Sequence, residues 1–169
     1  NLYGGNSDWP HKNYWVGRER GANSTGFKFF MWDSEWSLGI QSDVNSNQTG
    51  VANGVAQPYG LLRANAEFRL RFADRLHEHF FNGGALYVDP ANPAYDPAHP
   101  EQNVPAARYA ELAALVEQAI VGESARWGDM GSATPRTWAT WDAQRDFLMN
   151  SYFPQRSQNV LNQFRSIGL

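Results

Sequence analysis

The chain has 169 residues, close to the ~150 of one ordinary domain, and 42% of them are hydrophobic. That is enough apolar material to build a core, which excludes wholesale disorder. Fourteen Lys and Arg against 17 Asp and Glu give a net charge of -3, the wrong balance for a dedicated nucleic-acid binder. No apolar run approaches the ~18 residues of a membrane span. The absence of cysteine excludes a disulfide framework, a thiolate nucleophile and a zinc–thiolate site.

Only two of the basic residues are lysines, Lys12 and Lys28, and four of the seven tryptophans (Trp9, Trp15, Trp32, Trp36) fall near the start. The chain reads as folded sequence from Asn1, with no leader pattern, so a fragment whose N-terminal part is missing is the expectation. Residues 1–39 look β-rich. Tyr14-Trp15-Val16 is a short strand candidate, Gly21 to Gly26 a turn cluster, and Phe27 to Trp32 the next strand, together a hairpin. From 40 to 60 the sequence is rich in Ser, Asn, Gln and Gly without apolar periodicity. That composition predicts a solvated loop of the kind that faces a substrate.

Residues 61–169 read as a helical bundle. Asn65 is a good N-cap, after which Phe68, Phe72, Leu76 and Phe80 repeat every four residues until Asn82-Gly83-Gly84 stops the helix. Four prolines (Pro90, Pro93, Pro97, Pro100) make 85–103 an irregular insertion. A second helix is expected from about Pro105 to Trp127 with Leu112, Val116 and Ile120 on its apolar stripe. A third follows Thr137, and a last one carries Pro154 in its first turn and ends at Gly168. The fold class is α+β, mainly helical, with the hairpin packed on the bundle in a single domain, 1–169.

The chemistry-bearing stretch is Asp8-Trp9-Pro10-His11-Lys12-Asn13. An Asp followed five residues on by an Asn, just ahead of a strand, has the spacing of a protein-kinase catalytic loop. Asp33 closes the next strand, and a hairpin brings both strand ends to one edge. Asp8, Asn13 and Asp33 can then converge as hard oxygen ligands suited to Mg²⁺ or Mn²⁺ on nucleotide phosphates. The same residues also fit a plainer role, with Asp8 and Asn13 capping turns and Asp33 and Glu35 on a solvated strand end. His11 and Lys12 lie inside the motif and Trp36 beside it, where each is a weaker candidate for contact with nucleotide or substrate. His77 and His79 are two apart on a helix and read as surface.

The segments Tyr3 to Trp15 and Phe27 to Gly39, the latter containing Trp32-Asp33-Ser34-Glu35-Trp36-Ser37-Leu38-Gly39, resemble the catalytic and metal-binding motifs of the CotH family of atypical, kinase-like proteins. Tyr152-Phe153-Pro154-Gln155-Arg156 is similar to the tail of many bacterial members. Asn6-Ser7 stands where kinases proper carry His-Arg, and Ser34-Glu35 where they carry Phe-Gly. The resemblance implies a kinase-like C-terminal lobe that moves phosphate from ATP to protein serine or threonine. Asp8 would be the catalytic base, with Asn13, Asp33 and Glu35 as ligands of Mg²⁺ or Mn²⁺. Neither a Gly-rich phosphate cover nor a strand lysine paired with a helix glutamate is visible. The missing N-terminal lobe would therefore be a partner, and the 169-residue chain alone is expected to be inactive. The family also implies an extracytoplasmic or surface location. The alternative is a non-catalytic scaffold or surface interaction protein with a structural metal site, such as Ca²⁺.

Overall fold

Tyr14–Gly17 (β1) and Lys28–Met31 (β2) form an antiparallel hairpin in the computed structural model, which describes residues 1–169. Tyr14 faces Met31, Trp15 faces Phe30, Val16 faces Phe29 and Gly17 faces Lys28. The amide of Trp32 donates to the carbonyl of Asn13 at 3.2 Å and carries the ladder one pair further. The hairpin does not pack on helices in the expected way, because every residue of β2 is exposed. Phe29-Phe30-Met31-Trp32 is a continuous apolar run of the kind found in strands covered on both faces, but the sheet has only two strands, so β2 stays open.

Five helices follow: Gln57–Leu62 (α1), Ala66–Phe80 (α2), Val104–Trp127 (α3), Trp138–Phe147 (α4) and Phe153–Ser166 (α5). The protein is thus α+β and mainly helical. A single turn of 3₁₀ helix, Gly54–Ala56, leads into α1, so helix begins inside the segment read as loop. No helix is long and apolar enough to cross a membrane.

The chain forms two compact units, one made of Asn1–Asp74 with Asn159–Leu169 and the other of Arg75–Gln158. In the first, Phe72 meets Phe164 edge-on at 5.1 Å, Phe68 stacks at a tilt on Phe72 at 5.8 Å, and Tyr59 closes the cluster at 5.9 Å from Phe72. Each such ring pair stabilises by about 0.5–1.5 kcal/mol beyond the area it buries. Val160, Leu161 and Phe164 are buried on α5. The segment 43–49 is not a free loop. Asn159 Nδ2 donates to the carbonyl of Val44 at 3.2 Å, Gln163 Nε2 donates to that of Asn45 at 2.7 Å, and Thr49 is buried. Side-chain caps within the loop (Asp43 accepting from the Asn45 amide, Asn47 from the Thr49 amide) supply the turn bonds that its composition promised.

The second unit is built around α3. Thr137 caps α4 as expected, in a reciprocal box with Thr140, as Asn65 in the first unit caps α2 by accepting from the Phe68 amide at 3.0 Å. On α3 the inner face differs from the expected one. Ala106 and Ala113 are buried and Ile120 half-buried, whereas Leu112 and Val116 are exposed. Small side chains let neighbouring backbone approach, so the alanine stripe packs and the larger residues one turn-step away point out. Glu117 of α3 lies 3.5 Å from Arg145 of α4. Residues 85–103 return on themselves: Val88 bridges Asn103, and the Asp89 amide reaches the Gln102 carbonyl at 2.7 Å. The α4 and α5 helices are joined through a wider π-turn over Leu148–Tyr152, which has no counterpart in the residue pattern.

Candidate functional site

The loop that holds Asp8 is organised by polar side chains before it is organised by packing. Asn6, fully buried, accepts the Asp8 amide at 2.9 Å through Oδ1 and donates from Nδ2 to Asn1 Oδ1 at 2.9 Å. An Asn two residues ahead of an amide makes a local turn of this kind, the signal by which Asn6 could have been singled out from sequence. The loop then passes a cis Trp9–Pro10 bond. Asp8 itself is buried, with only 7% of its surface open.

Three neighbours converge on the Asp8 carboxylate. Asn13 Nδ2 donates to Oδ2 at 2.8 Å, Lys12 Nζ stands 3.0 Å from the same oxygen, and His11 Nε2 is 3.6 Å from Oδ1. The Asp-x4-Asn spacing therefore closes into a real contact, and the two weaker candidates, His11 and Lys12, fall at the same carboxylate. Lys12 and His11 are each more than half exposed, so the buried carboxylate opens on a mouth where the Lys12 ammonium stands.

Asp33 and Asn13 share one end of the hairpin. Asn13 has φ 61 and Asp33 has φ 48, both in the left-handed region that Asn and Asp tolerate better than other side chains. The bond from the Trp32 amide to the Asn13 carbonyl sets these two turns beside each other in the ladder. With Nδ2 spent on Asp8, Asn13 keeps Oδ1 as a donor atom for a cation. Asp33 is exposed and adds a carboxylate at the same edge. These are oxygen donors of the type a hard divalent ion takes. No three acidic or histidine side chains cluster as a metal cage, so Glu35, exposed beyond the strand, is not gathered with Asp8 and Asp33. Trp36 joins the loop through its backbone, its carbonyl accepting the Ser7 amide at 3.3 Å, and the Leu38 amide returns to the Gly4 carbonyl at 2.8 Å.

Gly54 also belongs to this site and was not singled out from the sequence. It has φ +51, and a Cβ at this position would stand 2.5 Å from the Pro10 carbonyl oxygen. The next amide, Val55, donates to that same oxygen at 3.3 Å. The segment ahead of α1 is thus seated directly on the Asp8 loop. Asn53-Gly54 was legible as a turn, but what it touches was not.

No protein family, curated protein or solved structure matches this chain.

Proposed function

We propose that the chain is the catalytic part of a CotH-like, ATP-dependent phosphotransferase acting on protein serine or threonine. The observation that carries this reading is the Asp8 carboxylate, buried in a pre-formed loop and held at 2.8 Å by Asn13 five residues on. A general base must be fixed within hydrogen-bond reach of the proton that it takes, and Asn6 and Asn13 fix Asp8 from both sides. Asp8 would accept the hydroxyl proton of the acceptor residue. Lys12, beside it, would place positive charge where phosphate oxygens arrive. Asn13 Oδ1, the Asp33 carboxylate and Glu35 would hold Mg²⁺ or Mn²⁺. Bound ATP and metal would supply the phosphoryl group and the neutralisation of its charge. His11 and Trp36 would border the substrate. The 169-residue chain alone would transfer no phosphate.

The test is phosphate incorporation from labelled ATP by the full-length parent, with Mg²⁺ or Mn²⁺, beside its Asp8→Ala and Asp33→Ala variants. Loss in both, with folding unchanged, supports the reading. Equal incorporation by wild type and Asp8→Ala sinks it.

A second reading is a non-catalytic, surface-located interaction protein. It is favoured by the same exposed hairpin and by the ion pair that occupies Asp8 with Lys12. A wild-type parent that binds a divalent ion such as Ca²⁺ and transfers nothing would select it.

A further inference from the structure

The β2 ribbon leaves a run of large apolar side chains open. Trp15, Phe27, Phe29, Phe30 and Trp32 are each more than half exposed, as is Met31. Those aromatic rings alone leave on the order of 500 Å² of apolar surface open. A single monomer's largest patch is typically about 300–600 Å², and one side of a stable protein interface is about 800 Å². Trp15, Phe30 and Trp32 share one face of the ribbon and Phe29 the other, so pairing along the outer edge would extend both apolar faces across the copies.

The backbone says which groups face outward. In an antiparallel ladder, bonded and non-bonded pairs alternate. The bond from Trp32 to Asn13 makes Trp15/Phe30 and Gly17/Lys28 the inward-bonded pairs. Phe29 and Met31 therefore turn their amides and carbonyls away from β1, toward a free edge. No proline blunts that edge.

We infer that a second copy of this chain pairs along β2, antiparallel across a two-fold axis at Phe30, giving a four-stranded sheet in the order β1-β2-β2-β1. Charge selects the antiparallel direction. It brings Lys28 of one copy toward the Asp33 and Glu35 end of the other, whereas a parallel pairing sets lysine beside lysine and acid beside acid. The outward bonding of Phe29 and Met31 limits the register to those that set outward-bonding residues opposite one another, and centring on Phe30 is one of these. Centred on Phe30, Phe29 lies opposite Met31 of the second copy, Lys28 opposite its Trp32, and Phe30 opposite its own counterpart. Ring–sulfur, cation–π and ring–ring pairs result, with no like charges opposed. Centring one residue later, on Met31, would instead set Phe29 against Asp33. The inference is independent of the phosphotransfer reading.

Light scattering after size exclusion, across a concentration series of the 169-residue chain, is expected to show a monomer–dimer equilibrium. Met31→Pro removes an amide that β1 does not use, so it should weaken association at least tenfold while far-ultraviolet circular dichroism stays unchanged. The chain has no native cysteine. Phe30→Cys places two thiols across a non-hydrogen-bonded pair about 4.5 Å apart at Cα, within disulfide reach. It should give a covalent dimer on mild oxidation, while Phe29→Cys should not. A monomer at every concentration overturns the inference and leaves the edge to a strand of another protein. A dimer that survives Met31→Pro, or that links equally well through Phe29→Cys, overturns it in favour of a different face.

Discussion

Asn13 reaches Asp8 with its side-chain amide at 2.8 Å while its own backbone sits in the left-handed region at φ 61. One residue therefore serves two purposes, turning the chain into β1 and pinning the carboxylate. The two can be separated. Asn13→Ala loses both, at a cost of about 2–4 kcal/mol for a hydrogen bond to a charged group plus a left-handed alanine. Asn13→Gly loses only the bond and should recover about 1 kcal/mol in urea unfolding. Equal stabilities for the two variants would show that the backbone turn carries no strain.

Gly54 and Gly26 provide a matched pair. Both have positive φ, but only Gly54 has a neighbour where a Cβ would go; around Gly26 there is nothing within 4 Å. Gly26→Ala should cost about 1 kcal/mol, the backbone term alone. Gly54→Ala must also push against the Pro10 carbonyl and should cost well over ~2 kcal/mol. It should also raise proteolytic nicking in 40–60. Similar stabilities and nicking rates would place the segment off the Asp8 loop.

Asn103 is buried and ties two parts of its unit together, accepting the Ala106 amide at 3.1 Å and donating to the Pro93 carbonyl at 2.8 Å. Asn103→Ala should cost about 2–3 kcal/mol, because it strands a buried donor and acceptor. The exposed cap Thr137 is the comparison, where Thr137→Ala should cost about 1 kcal/mol. Thermal unfolding that reverses this order would contradict the assignment.

Burial raises the Tyr59 hydroxyl above its ordinary value of 10.0, and neighbouring Arg63 pulls it part of the way back. Burial likewise raises Tyr109. The unfolded chain then loses these protons first. Their contribution is fully present below pH 10 and is lost as pH rises through the raised values. Tyr59→Phe forfeits the bond to the Thr49 carbonyl at 2.7 Å, so it should be less stable at neutral pH yet lose less stability in alkali. Urea midpoints on either side of pH 10 check this. Parallel curves for variant and wild type would remove Tyr59 as the source.

Much of the helical half was legible because its signals are local. Phe68, Phe72, Leu76 and Phe80 mark one face at a spacing of four, and Asn65 and Thr137 cap by side-chain chemistry that needs no partner elsewhere. The contact between Asp8 and Asn13 was legible for the same reason, since five residues of loop close on themselves. What failed depends on distant surfaces. Leu112 and Val116 look like a core stripe, but the packed side of α3 is lined with alanine, whose small size matters only against a neighbour. The exposure of β2 follows from there being two strands and no third, which the apolar run Phe29 to Trp32 cannot reveal. Gly54 has a reason only when the Pro10 carbonyl is in view. The π-turn over 148–152 leaves no mark in residue order at all.

Trp15 and Trp32 stand almost perpendicular, at 84°, with ring centroids 6.2 Å apart across the hairpin. Two indoles at that distance and angle couple their electronic transitions. The ribbon thus carries its own optical reporter, a paired circular-dichroism band that exists only while the strands are in register. Following that band during unfolding would time the melting of the hairpin separately from the helices, with no label attached.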